Sequence, residues 1–241
     1  MANPFYEPGA QRAAKVNDLF AGIAARYDLI NDLQSFGLHR LWKWRLVRLA
    51  HVGPGSRALD LCCGTGDVAL ALARTGAAVA GLDFSEPMLA VAQRRAAKAH
   101  AGDRVEFLRG DALNVPFPDA SFDAVTISYG LRNLASAEAG LREMWRLARP
   151  GGRLLVLDFG KPDFAPWRRA YFAYLRWGVP VFGRLFAGSR AAYAYILESL
   201  EHYPAQRGVA ALMRELPTTN VRVHNFLGGV MGINHAEKTD G

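Results

Sequence analysis

Residues 57–74 read RALDLCCGTGDVALALAR. A short apolar run from Ala58 to Cys62, broken only by Asp60 and entered from Arg57, has the length of a buried strand. A glycine turn follows, and Val68-Ala69-Leu70-Ala71-Leu72 then continues as a helix. Gly64 and Gly66 let the backbone come close to a ligand, because no Cβ stands in the way. Gly64 to Ala69 fits the G-x-G-x-x-G/A fingerprint of dinucleotide folds, with Ala69 in the third place. Asp60 with the two glycines equally fits a D-x-x-x-G-x-G turn. The stretch is a strand, a ligand turn and a helix, with the ligand still open.

Working outward, apolar runs predict strands at 57–62, 78–83, 104–109, 122–128 and 153–159, with helices near 67–75, 86–99 and 137–148. Strands that alternate with helices pair in parallel through right-handed crossovers, so the fold class is α/β with a doubly wound, mostly parallel sheet. Residues 11–50 read as helical, with Leu38, Leu41, Trp42 and Leu49 on one face, and Gly53-Pro54-Gly55 ends the segment. Residues 163–202 read as helical and aromatic, and two last strands near 219–225 and 228–234 as a hairpin on the sheet edge. One domain over 1–241 is expected: a helical cover at 1–52, a core at 53–160, and further covering helices with the final strands at 161–241.

The 241 residues carry a net charge of +7 and are 51% hydrophobic. The N-terminus lacks the layout of a signal peptide, and no uncharged apolar run approaches the ~18–20 residues of a membrane span. The two cysteines are the neighbours Cys62 and Cys63. Adjacency gives neither a structural disulfide nor metal-ligand spacing, so both are read as small packing residues. A reduced intracellular protein without metal is expected. The positive charge would suit nucleic acid or an anionic membrane, and its placement says more than its sum. Arg40, Lys43, Arg45, Arg48 and Arg57 lie between Asp32 and Asp60 with no acid among them. Lys161 to Arg190 holds six bases against Asp163 alone, interleaved with Phe164, Trp167, Tyr171, Phe172, Tyr174, Trp177, Phe182 and Phe186.

In a doubly wound sheet the ligand lies beyond the carboxyl ends of the strands. The positions to examine are therefore Cys62–Asp67, Asp83–Phe84, Gly110–Ala112 and Ser128–Arg132. Asp83 ends the second strand, where a carboxylate accepts from ribose hydroxyls of either NAD or S-adenosylmethionine (SAM). The next strand ends separate the two. Asp111-Ala112 stands where SAM enzymes place an acid toward the adenine amino group and a backbone N–H toward the ring. Val115–Asp123, VPFPDASFD, and the Pro150-Gly151-Gly152 entry to the fifth strand are methyltransferase habits as well. Four such pieces in order favour SAM over a NAD(P)-binding oxidoreductase. Asn/Asp-Pro-Pro-aromatic, the motif with which many base-methylating enzymes end strand four, is replaced by Ser128-Tyr129-Gly130-Leu131-Arg132-Asn133, so nucleic acid is not expected as the substrate.

FAGIAARYDLINDLQSFGLHRLWKW, LDLCCGTGDVA, DALNVPFPDASFDAVTISYGLRNL and YILESLEHYPAQ resemble the ubiquinone/menaquinone biosynthesis C-methyltransferases over roughly residues 16 to 235. Tyr27–Asn31 and Tyr129–Asn133 are the most specific parts. The resemblance implies a Rossmann-like SAM methyltransferase that methylates a ring carbon of a polyprenylated hydroquinone. It places SAM at Gly64, Thr65, Gly66, Asp83, Asp111, Ala112 and Ser128. Such chemistry needs a base for a ring hydroxyl and a cation for the resulting oxyanion. Asp67 and Arg132 are the candidates, with Tyr27 on the cover as a hydrogen-bond partner. Their plainer roles are a helix cap for Asp67 and a carboxylate pair for Arg132. A greasy substrate also fits the basic, aromatic stretch as an amphipathic cover at the inner face of a membrane. Another small molecule or RNA remains the alternative substrate, and a homo-oligomer is left open. The chain departs from the family pattern at Cys62, at LPTTNV (216–221) and at the tail INHAEKTDG.

Overall fold

Leu154 and Val156 pack on one side of their strand while Leu155 and Leu157 pack on the other, all four fully buried or within 1% of it. A strand buried on both faces is central in its sheet, which is why its sequence is a continuous apolar run. The computed structural model describes residues 27–178 and 197–239. The described elements are α1 (Tyr27–Ser35), α2 (Leu38–Ala50), β1 (Arg57–Leu61), α3 (Asp67–Ala73), β2 (Ala78–Asp83), α4 (Glu86–Lys98), β3 (Val105–Arg109) and β4 (Phe122–Ser128). They continue with α5 (Ala137–Leu147), β5 (Ala148–Phe159), α6 (Ala165–Ala173), α7 (Ala205–Glu215), β6 (Thr218–Phe226) and β7 (Met231–Lys238).

The strands form one seven-stranded sheet in the order β3-β2-β1-β4-β5-β7-β6. Strands β1 to β5 are parallel, while β7 runs antiparallel to both β5 and β6. The order reverses between β1 and β4, so the loops after these two strands diverge and leave a crevice between them. The final hairpin is as expected, except that its second strand, β7, is inserted against β5 and leaves β6 at the edge.

Two local readings are corrected. Helix α2 buries His39, Trp42, Lys43, Leu46 and Ala50, whereas Leu41 is 53% exposed and Leu38 lies at the surface. The helix thus turns its 39/42/43/46/50 stripe to the sheet and takes a lysine inward, which an apolar-only reading of the pattern misses. The Pro150-Gly151-Gly152 segment lies within β5 rather than before it, at a register shift against β4 between Phe122 and Ala124. Proline is tolerated inside a sheet at such an irregularity. The helical reading of 11–50 is met from Tyr27 on, broken at Phe36 and Gly37, both of positive φ. Its residues 11–26, and 179–196 with Phe182 and Phe186, lie outside the described residues. Helix α7 had no sequence expectation.

Candidate active site

The crevice is built from the ends of β1, β2 and β4. After β1 the chain enters the left-handed region three times, at Cys62 (φ 52°), Gly64 (φ 54°) and Gly66 (φ 83°). At Gly66 a side chain would also press on Phe107 at 3.0 Å and Ala92 at 3.1 Å. After β4, Tyr129 takes φ 60°, an outlier for a bulky aromatic, and Gly130 follows. A Cβ on Gly130 would fall 2.5 Å from the Cβ of Cys62. The two loops therefore touch, and strain is concentrated where the sheet order reverses.

Asp83 closes the turn from the side. Its carboxylate oxygens accept from the Gly64 amide at 2.8 Å and the Ser85 amide at 2.8 Å. Burial pushes its pKa up, against those amides. Two hydrogen bonds leave lone pairs on both oxygens for further donors. Beyond β3, Asp111 is exposed with one oxygen on the Leu113 amide at 2.9 Å, and Ala112 is buried beside it. The Ser128 hydroxyl at the end of β4 is buried and bonded to no other group. Space is open at Gly64, where an added Cβ meets nothing within 4 Å. Such an orphaned hydroxyl, a free turn and a carboxylate able to take hydroxyl donors are what a nucleoside cofactor with a polar tail requires. The residues fit SAM.

Asp67 heads α3. It accepts from Lys43 at 2.7 Å and from the Arg95 guanidinium, which also donates to the Thr65 carbonyl and hydroxyl, each at 3.0 Å. Burial raises the Asp67 pKa, but the charge and bond of Lys43 and those of Arg95 more than reverse this and hold it at about 2. A carboxylate that acid is a weak proton acceptor near neutral pH, and this geometry makes Asp67 the anchor of α2 over the turn. Asp60 lies beneath the turn, 1% exposed, and accepts from Thr126 at 2.7 Å. Burial outweighs that bond and lifts its pKa to about 7.

Arg132 sits in a 3-10 turn (Leu131–Asn133) after β4 and is 7% exposed. Its Nη1 donates to Asp158 at 2.6 Å and to the Tyr129 carbonyl at 2.7 Å, and its charge lies 4.9 Å from the Phe159 ring centre. Both partners are nearly dry, with 5% and 3% of their side chains exposed. Burial pushes the Asp158 carboxyl up and Arg132 draws it back. Tyr27 opens α1, and its side chain lies outside the described residues.

Gly64 is thus bonded to Asp83, and Thr65 to Asp67 through Arg95, on the one turn that also holds Gly66, with Ser128 and Arg132 on the touching β4 loop. Sequence reading missed Asp158, Lys43 and Arg95. Asp158 was legible as the acid ending the fifth apolar run, a strand end of the same kind as the four considered. Lys43 and Arg95 carried no signal beyond being bases on helices. The thiols of Cys62 and Cys63 are free, and burial raises both pKa values.

The sheet order, the strained turn after β1 and the acids after β2 and β3 define a SAM-dependent methyltransferase fold. The ubiE/COQ5 methyltransferase family model matches residues 9–238, and the chain belongs to that family. A demethylmenaquinone methyltransferase of Desulfitobacterium hafniense (strain Y51) is 40% identical over 233 residues, 95% of this chain and 92% of that protein. The ubiquinone/menaquinone biosynthesis C-methyltransferase UbiE of Pseudomonas entomophila (strain L48) is 40% identical over 235 residues, 96% and 91% of the two chains. Among solved structures, a SAM-dependent methyltransferase from Aquifex aeolicus shares the fold, with a TM-score of 0.62 at 18% identity over 87% of this chain and 97% of that one. The protein is an enzyme and its cofactor is SAM.

Proposed function

We propose that the enzyme methylates a ring carbon of a polyprenylated hydroquinone, demethylmenaquinol or the related 2-methoxy-6-polyprenyl-1,4-benzoquinol. The observation that carries this reading is the dry pair that Arg132 of the Tyr129–Asn133 motif makes with Asp158 of β5, in a chain 40% identical to proteins named for this reaction. When bound, SAM supplies a methyl group that is already electrophilic. The chain's own task is to hold the cofactor and to make the ring carbon electron-rich.

Thr65, Asp83, Asp111, Ala112 and Ser128, with the backbone of Gly64 and Gly66, hold SAM in this reading. Asp158 fixes the Arg132 guanidinium, so that its charge is oriented before the substrate arrives and costs little reorganisation. A phenol-like hydroxyl ordinarily ionises at ~10. A cation beside it lowers that value, its proton passes to water, and negative charge spreads onto the neighbouring carbon. Tyr27 is proposed to bond the ring from the cover.

The surface supports a substrate drawn from a lipid layer. Helix α6 is exposed along its length except for Tyr171 and the half-buried Phe172, with Phe164 69% and Trp167 43% exposed and Trp177 beyond it at 73%. Trp167 donates to the Leu227 carbonyl at 2.9 Å, and the preceding Phe226 packs on Trp42 of α2 at 6.3 Å between ring centres. The end of β6 therefore bridges the two basic stretches at one corner, and Arg168, Arg169 and Arg176 are exposed on α6 and just beyond it. No helix among the described residues is long and apolar enough to cross a membrane, and the membrane contact proposed here is a peripheral one. Cells lacking the protein should accumulate a demethylated quinone. An unchanged quinone profile, with no second enzyme supplying the step, refutes the reading.

A further inference from the structure

Tyr171 is the residue that α6 buries. It is 5% exposed, and its hydroxyl has no hydrogen-bond partner. The ring is held edge-on by Phe172, at 5.8 Å and 85°. A helix that otherwise faces outward thus inserts one polar atom into the interior and leaves it unsatisfied. An apolar residue of the same shape would anchor the helix at lower cost, since a buried orphan hydroxyl is unfavourable. Phenylalanine is that residue, and the chain uses it at the next position.

What lies near the hydroxyl gives it a purpose. Tyr171 is within electrostatic reach of both Arg132 and Asp158, and it shares a core cluster with Leu131, the neighbour of Arg132, and with Leu154 and Val156 of β5. It enters from the segment after β5, at the carboxyl end of the sheet where the crevice opens. Burial raises its pKa, so the O–H keeps its proton and remains a donor throughout the working range.

We infer that the Tyr171 hydroxyl donates a hydrogen bond to a ring oxygen of the bound quinol, beside the Arg132–Asp158 pair, as a further catalytic residue. The inference rests on the quinol reading. The bond strengthens as that oxygen gains negative charge, so the donor acts on the reactive form more than on the resting one. It also ties α6, part of the surface corner, to the reacting ring: the helix that meets the lipid carries the group that receives the head of the substrate.

Tyr171→Phe keeps the ring and removes only the donor. With a water-soluble demethylnaphthoquinol and saturating SAM, kcat should fall about 100-fold, in the range for loss of one preorganised donor. Tm should equal or exceed that of the wild-type enzyme, because the orphan is gone, and the Kd for SAM should not move. A more stable, slower enzyme with intact SAM binding supports the assignment. Wild-type kcat in Tyr171→Phe overturns it and makes the hydroxyl a tolerated defect of the core. A variant that slows only in proportion to lost folded protein overturns it too. If the wild-type enzyme itself fails to methylate the quinol, the quinol reading falls, and this inference with it.

Discussion

Asp67→Asn separates an anchor from a base. The carboxylate is bonded by Lys43 and Arg95, and its pKa of about 2 lies below the ordinary 3.8. A tenfold change in acidity corresponds to about 1.4 kcal/mol, so ionised Asp67 contributes roughly 2–3 kcal/mol to stability. Its side chain is 21% exposed, so little of this is lost to solvent screening. The folded pKa is depressed, so the contribution is complete above the unfolded value near 4 and disappears as pH falls through the folded value near 2. About half of it should remain at pH 3. The asparagine variant should therefore unfold in urea about 2–3 kcal/mol more easily at pH 7, and by about half that margin at pH 3. Lys43, only 10% exposed, loses its partner in the variant, which pushes the loss toward the upper figure. Turnover per folded molecule should drop less than tenfold, since loss of a positioned base typically costs about 10²–10⁴. An unchanged stability at pH 7, or a gap equal at both pH values, refutes the clamp. Full stability with a hundredfold slower enzyme restores Asp67 as the base.

Asp60→Asn should remove a pH dependence of the opposite sign. The folded pKa, about 7, is raised above 3.8, so the stability difference between wild type and variant should shift against the wild type by up to about 4 kcal/mol as pH climbs from 4 to 7, and a difference in urea midpoints that does not change with pH refutes it. Asp83→Ala should weaken SAM at least tenfold by isothermal titration, since each hydrogen bond to a charged group is worth about 1.5–3 kcal/mol; an unchanged Kd in a folded variant removes Asp83 from the pocket. Arg132→Ala leaves Asp158 dry and unpaired, at a cost of about 3–5 kcal/mol, and should lower kcat per folded molecule about 10²–10³-fold, with Lys restoring part of it and high pH restoring more. Neutralising Arg168, Arg169 and Arg176 together should weaken cosedimentation with anionic vesicles by about 1 kcal/mol per charge, less at Arg176, which lies 3.6 Å from Glu201. Vesicle binding that does not change makes this face an ordinary surface.

The parallel core was legible because strands buried on both faces leave continuous apolar runs, and the turn after β1 because its glycines are forced by φ and by the nearness of Phe107. Helix α7 escaped notice because its buried stripe includes Gln206, whose side chain bonds the Lys161 backbone at 2.8 and 3.0 Å. A polar residue turned inward breaks the apolar pattern, and its reason lies 45 positions away. Lys43 hid in the same manner: its partner Asp67 is 24 residues distant, and only the docking of α2 on α3 brings them together. Arg132 was found from its motif, yet Asp158, which fixes it, is 26 residues further on and on another strand. Local periodicity reports which face is dry. It does not report which charges meet there.

Transfer of a methyl group to a quinol ring carbon can be followed directly. Purified protein, SAM carrying a deuterated methyl group, and demethylmenaquinol kept reduced are incubated together, and the product is read by mass spectrometry with fragmentation. A single labelled methyl on the ring carbon, no label on oxygen, and no reaction with the oxidised quinone, whose ring has no hydroxyl to ionise, are the expected result. Label on a ring oxygen, equal labelling of quinone and quinol, or labelling of RNA in place of either would contradict it.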